Sequence, residues 1–451
     1  MIQGDILTVK ITDISIEGSG IAHTDDGFVL FVPDALPEEV VQVRVTVKKK
    51  SYGTAKILKT LTHSDDRVQP ICPSFGRCGG CQTQHLSYTA QLDVKTKIVK
   101  DALKRIGGFE DVSVSECRRS PQEVGYRNKA SIPVQRTQHE NITAGFYKPR
   151  SHDVVPFRDC PILMPEINEV AKKLITALEN EGFRGANCAK DRGMIRNIVI
   201  RHSQNTNDSL CCIIANRAPN REERERLRRI AKNIGMTGMS CNINDSEGNF
   251  IWGAKNINIF GSPTMTEKLG VFTFTFEASS FFQVNTAQAE NLYEYASSLA
   301  LSDDPRKILE LYAGTGTLSA YLARTGASIT SVESWQPAAK YIAQNARANG
   351  ITTITPRTAP AEDIADELAC ERYDTVVLDP PRSGCDPKVI SAISKISPDK
   401  IVYVSCNPAT LARDAKLISA SGYRLISAAP FDMFPQTSHV ESVVLLTKVH
   451  N

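Results

Sequence analysis

The sequence predicts a chain of the α/β plus β class, with a small β-barrel, a mixed α/β central domain and a doubly wound, Rossmann-like C-terminal domain. Three observations support this fold. The first 60 residues alternate short apolar runs with turn signals, a loop rich in Pro, Gly and Cys follows, and strand–helix alternation begins near residue 305. We predict domains at residues 1–60, 61–285 and 286–451, and 451 residues are enough for three.

Composition is that of an ordinary globular protein, with 41% hydrophobic and 23% charged residues. No run reaches the ~18 apolar residues that cross a membrane. The N-terminal MIQGDILTVK lacks the basic and apolar regions of a secretory signal, so we expect a cytoplasmic protein. Because the cytosol keeps thiols reduced, the twelve cysteines predict metal binding or chemistry rather than disulfides. The net charge of +3 leaves a nucleic-acid partner open.

The first 60 residues predict a five-stranded barrel of the OB type, a fold that often binds oligonucleotides. Its strand-like segments include ILTVKITDI, FVLFVP, EEVVQVRVTV and KKKSYGTAKIL. If the barrel binds RNA, the contact is expected from four lysines near one hairpin, Lys48, Lys49, Lys50 and Lys56. The alternative is a barrel that only packs against its neighbour.

The central part begins with a predicted amphipathic helix over residues 86–106, ended by Gly107 and Gly108. Strands are predicted in IPVQR, NITAGFY, IRNIVIRHS and SLCCIIANR. Residues 118–158 hold eight Arg or Lys against three acidic residues, and four rings lie among them, Tyr126, Phe146, Tyr147 and Phe157. Cations with rings for stacking are what RNA binding needs. The alternative is a solvated basic face.

The C-terminal part predicts a mostly parallel sheet from the strands KILELYAG, ASITSVES, YDTVVLDPP, KIVYVSCNP, YRLISAAPF and SHVESVVLLT. Helix-length segments separate the first five. The last two strands leave no room for a helix, so the final strand is expected to run antiparallel at or near the edge.

A glycine turn with Gly314 and Gly316 follows the first of these strands and lets a ligand approach the backbone. A dinucleotide loop wants a third glycine where this chain has Ser319, so the glycine pair alone is weak evidence. Glu333 ends the next strand, where it can accept hydrogen bonds from ribose hydroxyls. Asp379 ends the third strand, before two prolines, and residues 361–363 add acids. Three acids on one rim suit the positive sulfonium of S-adenosyl-L-methionine better than a pyrophosphate.

Cys406 ends a strand on the same rim, and Asn407-Pro408 predicts a tight turn that projects its thiol. Uracil C5 is a poor nucleophile, but a thiolate that adds to C6 generates an enolate, which can attack a methyl group on sulfur. A base must then remove the C5 proton so that the thiolate can leave. Cys406 and Glu441 are the candidates for these roles, and the alternative for Cys406 is a small core residue.

Motifs over nearly the whole chain resemble one family. They are a barrel at 1–60, CPSFGRCGGCQTQHLSY, GYRNKASIPV, FRDCPIL, SSFFQVNT, LYAGTGTLS, VLDPPRSG, VSCNP and MFPQTSHVE. Together they resemble the TRAM-containing RNA (uracil-5-)-methyltransferases, most closely the members that act on 23S rRNA. The resemblance implies a TRAM barrel, a class I methyltransferase domain, 5-methyluridine as product and 23S rRNA as partner. We expect a monomer with no membrane or obligate protein partner.

Carried over residue by residue, the resemblance implies Cys406 as nucleophile and Glu441 as base. The residues implied to hold S-adenosyl-L-methionine are Gln283, Tyr312, Gly314, Glu333 and Asp379. Tyr312 stands where relatives commonly have Phe, and either ring can flank the ligand. Ala313 stands where relatives often have Cys, so no catalytic role is assigned to it.

Four other cysteines form a candidate metal site, Cys72, Cys78, Cys81 and Cys160. Their thiolates could hold zinc or a [4Fe–4S] cluster, and spacing alone does not choose between them. The resemblance implies [4Fe–4S], with a structural role. The remaining cysteines lack ligand spacing and are expected in the core or incidental, namely Cys117, Cys188, Cys211, Cys212, Cys241, Cys370 and Cys385.

Three alternatives to a 23S rRNA enzyme are weighed. A tRNA T-loop methyltransferase is the nearest, but typical tRNA enzymes of this family lack the cluster cysteines. An RNA-binding or assembly factor without catalysis is disfavoured because Cys406 and Glu441 are both present. A radical iron–sulfur enzyme would need a C-x3-C-x2-C motif, which the spacing of Cys72, Cys78 and Cys81 excludes. One or two rRNA sites remain open.

Overall fold

Five strands close into an N-terminal barrel in the computed structural model, which describes residues 2–138, 141–187, 191, 193–248 and 250–449. The strands are β1 (Ile6–Ile14), β2 (Gly20–His23), β3 (Val29–Val32), β4 (Val40–Lys48) and β5 (Tyr52–Thr62). Alternate apolar residues of β1 and β4 point into the barrel. This alternation in the sequence is the pattern that predicts the strands. The predicted TRAM-type barrel is confirmed.

The helix predicted over residues 86–106 is confirmed as α1 (Tyr88–Ala102), continued by a π-helical turn at Leu103–Gly107. The chain leaves it at Gly108, whose φ of 78° is in the left-handed region that glycine tolerates. The short strand β6 (Ser113–Val114) then joins the edge of the C-terminal sheet. Residues 88–114 therefore pack with the C-terminal sheet, and the division at residues 60 and 285 stays a prediction.

The central sheet has seven strands in the order β13-β12-β11-β10-β7-β8-β9. Its elements are β7 (Lys129–Gln135), β8 (Thr143–Tyr147), β9 (Val154–Pro156), α2 (Pro165–Asn180), β10 (Ile195–His202), β11 (Ser209–Ala215), α3 (Arg221–Ile234), β12 (Gly238–Ile243) and β13 (Lys255–Gly261). Helices α2 and α3 cover one face, and the hairpin β14 (Thr264–Leu269) and β15 (Phe272–Glu277) packs on the other. The four central strands predicted from sequence are confirmed.

The C-terminal sheet has eight strands in the order β18-β17-β16-β19-β20-β22-β21-β6. Its further elements are α4 (Thr286–Leu301), β16 (Lys307–Leu311), α5 (Thr317–Leu322), β17 (Ser328–Glu333), α6 (Gln336–Ala348), β18 (Ile354–Thr358), α7 (Ala365–Leu368), β19 (Thr375–Leu378), α8 (Pro387–Ile396), β20 (Lys400–Ser405), α9 (Pro408–Ser419), β21 (Tyr423–Phe431) and β22 (Glu441–Lys448). The predicted doubly wound sheet is confirmed.

Two strands differ from expectation. The sequence did not predict β18, because it lies at the sheet edge, is only partly buried and contains Pro356. The final strand β22 is antiparallel, as predicted, but it lies between β20 and β21 instead of outside them. Its first four residues, from Glu441 to Val444, are all buried, which suits a position with neighbours on both sides.

A buried ion pair ties α1 to the segment before β22. Lys95 Nζ lies 2.5 Å from Asp432 Oδ1, and both side chains are almost fully buried. Lys95 also donates to the carbonyl of Phe434, and Gln91 hydrogen-bonds Gln436. Within the described ranges, every helix is too short or too polar to serve as a transmembrane span.

Candidate active site

A cavity of about 1060 Å³ opens where the parallel strands of the C-terminal sheet end. The seven residues predicted for catalysis and ligand binding all line it, namely Gln283, Tyr312, Gly314, Glu333, Asp379, Cys406 and Glu441. The carboxyl ends of parallel strands share one edge, so β16, β17, β19 and β20 deliver their following residues to the same place. The arrangement unites residues that span more than 150 positions of the chain.

The turn after β16 brings the backbone up to the cavity. Tyr312, Gly314 and Gly316 have φ values of 67°, 59° and 81°, all in the left-handed region. Glycine adopts this conformation without strain, whereas Tyr312 does so at some cost. Gly314 has open space on the side where a Cβ would lie, which leaves room for a ligand against the backbone.

Glu333 is held in position by two backbone amides. Gly314 N donates to one carboxylate oxygen at 2.8 Å, and Trp335 N donates to the other at 2.6 Å. These bonds fix the carboxylate at the end of β17 and link it to the glycine turn. A fixed acceptor here suits the hydroxyl groups of a ribose.

Cys406 and Glu441 meet because their strands run in opposite directions. Strand β20 ends at Ser405, which pairs with Ser442 near the start of β22. Cys406, which follows β20, and Glu441, the first residue of β22, therefore lie at the same edge of the sheet. The Asn407 side chain caps α9 through Ala409 N at 3.1 Å, so the chain turns sharply after Cys406.

Burial dominates the electrostatics of the cavity. It raises the pKa of Asp379 to about 7. The pKa of Cys406 rises to about 11, mainly from burial and also from the charge of Glu441. Burial and the nearby Asp379 raise the pKa of Glu441 well above its ordinary range, while Arg382 acts in the opposite direction. Three acidic groups that resist ionisation together are suited to a cationic ligand, which would favour their charged forms.

Arg382 belongs to a loop that α9 holds over the cavity. Asn407 Nδ2 donates to the Arg382 carbonyl at 3.0 Å, and Arg413 donates to the Ser383 carbonyl at 2.9 Å. Asp414, buried below, accepts from Cys385 N at 2.8 Å and from the Tyr403 hydroxyl at 2.7 Å. Helix α9 and its cap residue Asn407 therefore hold the backbone of residues 382–385 beside Cys406.

Among the other residues that line the cavity are Arg127, Phe281, Arg382 and His439, to which the sequence analysis gave no role. Each lies inside a motif quoted above, so the signal was present without a role attached. Phe281 is 64% exposed, unusual for a ring at a cavity. Burial and nearby Arg382, Lys95 and Arg127 lower the pKa of His439 to about 4, so its imidazole is neutral at physiological pH.

Two family models match the chain. Residues 254–449 match the model described as tRNA (Uracil-5-)-methyltransferase, and residues 2–58 match the TRAM domain. An uncharacterized RNA methyltransferase of Halalkalibacterium halodurans is 36% identical over 98% of this chain and 97% of its own length. The chain belongs to the TRAM-containing RNA (uracil-5-)-methyltransferase family. It is accordingly an enzyme of the RNA methyltransferase class.

Other relatives span this methyltransferase over its whole length. An uncharacterized RNA methyltransferase of Gloeobacter violaceus is 35% identical over 99% of this chain and 98% of its own length. Among solved structures, the Pyrococcus abyssi tRNA (uracil-54, C5)-methyltransferase in complex with S-adenosyl-L-homocysteine is 28% identical with a TM-score of 0.77. It covers 98% of this chain and 100% of its own.

The four cysteines predicted as metal ligands lie in one region of the methyltransferase. The pKa of Cys81 rises to about 12, mainly through burial but also through the charges of Cys160, Cys78 and Cys72. All four are free thiols. Among the described residues, no three His, Cys, Asp or Glu side chains are gathered closely enough to share a metal ion. The iron–sulfur loop therefore stays a prediction.

The other cysteines that the structure describes agree with the expectation of core or incidental positions. Cys117, Cys211, Cys212, Cys241 and Cys385 are buried, as expected of core residues, whereas Cys370 is exposed. Cys188 lies outside the described residues.

The predicted RNA-binding stretch, residues 118–158, is only partly a surface. Tyr126 is 3% exposed and its hydroxyl donates to the Pro435 carbonyl, so its ring cannot stack on RNA and that expectation is wrong. Phe146 and Phe157 are half-buried against the central core, and Tyr147 is exposed. Lys48, Lys49, Lys50 and Lys56 are all exposed on the barrel.

Proposed function

We propose that this methyltransferase transfers a methyl group from S-adenosyl-L-methionine to C5 of uracil in 23S rRNA, giving 5-methyluridine through a covalent adduct with Cys406. The observation that carries the proposal is the meeting of Cys406 and Glu441 at adjoining strand ends, in one cavity with Asp379. Uracil C5 needs nucleophilic activation and later proton removal, and this pair offers a group for each.

S-adenosyl-L-methionine supplies the methyl group as an electrophile on a positive sulfonium. The acidic lining of the cavity suits that charge, and the Glu333 carboxylate suits its ribose. In the proposal, Tyr312 flanks the ligand, Gly314 lets it approach the backbone, and Gln283 and Asp379 complete the site. The P. abyssi relative, solved with S-adenosyl-L-homocysteine, supports this assignment.

The proposed steps use the chain's own groups. The Cys406 thiolate adds to C6 of the uracil, and the electron pair of the C5–C6 double bond moves into the enolate. C5 then forms its bond to the methyl group while the bond between that methyl carbon and the sulfonium sulfur breaks, and S-adenosyl-L-homocysteine leaves. The Glu441 carboxylate removes the C5 proton, the double bond re-forms and the Cys406–C6 bond breaks. The nucleotide must leave its helical stack to reach the cavity, at a cost that is least for an unpaired uridine.

We further propose a [4Fe–4S] cluster on Cys72, Cys78, Cys81 and Cys160. The sequence resemblance carries this proposal, and the thiols of Cys72, Cys78 and Cys160 lie near enough to Cys81 to raise its pKa. Backbone contacts already constrain the ligands, since Asn168 hydrogen-bonds both the amide and the carbonyl of Cys160. Its proposed role is structural, joining the loop to the central domain.

The choice of RNA rests on these cysteines, which the sequence resemblance links to the 23S rRNA members. A tRNA substrate is the second candidate, favoured by the P. abyssi enzyme named for uracil 54 of tRNA. In the proposal, residues 1–60 bind RNA, residues 61–285 recognise it and residues 286–451 catalyse, in a single chain.

Incubation of the purified enzyme with unmodified 23S rRNA and with tRNA transcripts tests the proposal. We expect S-adenosyl-L-methionine-dependent 5-methyluridine, mapped by nuclease digestion and mass spectrometry, in the rRNA alone. Modification confined to tRNA position 54 would transfer the assignment to the second candidate. No 5-methyluridine in either RNA would contradict the proposed activity.

A further inference from the structure

Two cations face each other on neighbouring strands of the central sheet. Lys129 on β7 is the direct register partner of Arg201 on β10. Both belong to the face opposite α2 and α3, because the alternate residues Ala130 and Ile200 pack into the core beneath those helices. Like charges directly opposite each other destabilise a sheet. An anionic partner would offset the repulsion between Lys129 and Arg201.

Among the described residues, none of the groups that shift the pKa of Lys129 is a carboxylate. Burial, Arg201 and Arg127 lower its pKa well below the ordinary range, and only the Cys212 thiol acts in the opposite direction. Arg201, 2% exposed, donates from its guanidinium to the carbonyls of Ala278 and Ser280. Those carbonyls satisfy hydrogen bonds but carry no net charge. The local excess of positive charge is suited to an anionic ligand.

One aromatic ring lies beside this charge, and a second belongs to the same loop. Lys129 Nζ is 5.9 Å from the centre of the Trp252 ring. Phe250, two residues earlier, is 85% exposed. Asn244 Nδ2 donates to the carbonyls of Phe250 and Ile251 at 2.6 and 2.9 Å, so the loop that presents the rings is held in place. An exposed ring on an anchored loop is suited to stacking.

The segment that leads into β7 connects Lys129 to the active-site cavity. Arg127 lines the cavity and lies two residues before Lys129. Between them, Asn128 N donates to the Val284 carbonyl at 2.8 Å, and its side chain donates to the Gln283 carbonyl at 3.0 Å. Lys129 therefore lies two residues along the chain from the lining of the cavity.

We propose that Lys129, Trp252 and Phe250 form a flanking strip that binds the unpaired RNA next to the target uridine. A phosphate would lie at Lys129 and a base would stack on the Phe250 or Trp252 ring. A lysine beside aromatic rings matches the phosphates and bases of single-stranded RNA better than it matches a carboxylate-rich peptide. The inference rests on the proposed function in taking the cavity as the uridine site.

Binding of a fluorescein-labelled single-stranded oligouridylate of about 12 nucleotides tests the strip without any methyl donor. Fluorescence anisotropy would compare the wild type with Lys129→Gln and Phe250→Ala. The matched controls are Lys173→Gln, an exposed lysine on α2, and Val271→Ala, an 84% exposed side chain on the β14–β15 hairpin. A duplex RNA of equal length serves as the second probe.

We expect Phe250→Ala to weaken single-strand binding about tenfold, with an unchanged salt dependence. Lys129→Gln should also weaken it and should reduce the slope of log K against log salt by about 0.7, the value for one phosphate contact. Because Lys129 opposes Arg201, Lys129→Gln should leave urea stability unchanged or raised. Both controls should bind like the wild type.

Wild-type affinity in both variants would overturn the proposal. Equal losses for single-stranded and duplex RNA would overturn the stacking role, and displacement by polyglutamate as efficient as by unlabelled oligouridylate would overturn the assignment to RNA. If the strip binds but the wild type makes no 5-methyluridine, the proposed function fails while the strip stands.

Discussion

At the scale of single residues, burial opposes ionisation of Cys406 and Glu441, the two groups proposed for catalysis. Cys406, with a pKa raised to about 11, is a thiol at neutral pH, although the proposed reaction needs its thiolate. Glu441 resists ionisation as well, through burial and Asp379. A sulfonium placed among them favours both anions. Binding of the methyl donor would therefore prepare the nucleophile and the base together.

Replacing Cys406 by Ala should reduce methyl transfer more than about a thousandfold, because its thiolate is the group proposed to activate C5. RNA affinity should change little, since phosphates and stacked bases supply it. Tritium transfer to RNA and a filter-binding assay measure the two quantities. Cys385→Ala, a thiol in the same cavity, is the matched control and should retain activity. Turnover by Cys406→Ala above a blank would remove this thiol from the mechanism.

Glu441→Gln should trap the reaction halfway. Methyl transfer can still occur, but without a base the C5 proton stays and the Cys406–C6 bond cannot break. An enzyme–RNA adduct that survives a denaturing gel is therefore expected, with turnover lost. Glu179→Gln, which changes an exposed carboxylate on α2, should give neither effect. Full turnover without an adduct in Glu441→Gln would contradict the assignment.

The Asp379 carboxyl, with a pKa raised to about 7 by burial, predicts a pH-dependent affinity. Below pH 7 it is protonated and neutral, and above pH 7 its negative charge attracts the sulfonium. Affinity for S-adenosyl-L-methionine should thus rise up to about tenfold from pH 6 to pH 8. S-adenosyl-L-homocysteine shares the amino group but lacks the sulfonium, so its affinity should rise less.

Calorimetric titration of both ligands at the two pH values measures this difference. Asp379→Asn should abolish it, because the amide does not titrate in this range. An equal rise for both ligands in the wild type would show that Asp379 does not sense the sulfonium charge.

At the scale of elements, α1 positions the catalytic segment from a distance in sequence. Lys95 pairs with Asp432, nine residues before Glu441, and the pair is buried. The amphipathic pattern predicted the helix but not the partner Asp432, because nothing in the local sequence distinguishes Lys95 from an exposed lysine. The charge is tolerated only because a carboxylate more than 300 residues later meets it.

Lys95→Met should cost about 3–5 kcal/mol of unfolding free energy, because it leaves Asp432 buried and unpaired. Adding Asp432→Asn should recover a large part of that loss. Urea unfolding of the single and double variants measures the coupling. Lys97→Met, on the same helix but in exposed ion pairs with Asp13 and Asp101, should cost at most about 1 kcal/mol. Equal losses for Lys95→Met and Lys97→Met would refute the structural role of the buried pair.

At the scale of the whole molecule, the parts are joined by contacts between distant segments. Arg67 pairs with Glu39 at the base of the barrel, and Ile14, Leu36 and Leu86 form a small apolar cluster there. The cysteine loop begins directly after this junction. A cluster that binds Cys72, Cys78, Cys81 and Cys160 would add a covalent connection between this loop and the central sheet.

The aerobically purified protein should therefore be brown and hold about four iron atoms per chain. Cys81→Ser should bleach it and lower the melting temperature, because a ligand and a connection between segments are lost. Cys370→Ser, which changes an exposed cysteine without ligand spacing, should leave colour and iron unchanged. Metal analysis, visible spectroscopy and thermal unfolding measure these outcomes. A colourless protein with one zinc would show that the metal assignment is wrong.

The sequence by itself determined the barrel, the doubly wound sheet and the seven residues that meet in the cavity. Strands are predicted from periodicity, which is a local property of the sequence. Because the carboxyl ends of parallel strands share one edge of a sheet, the sequence also predicts that Cys406 and Asp379 lie at the same edge. The tertiary structure alone decided that Tyr126 is buried, that β22 is inserted beside β20, and that Lys129 opposes Arg201. These facts depend on strand register and on packing between distant segments, which no local pattern encodes.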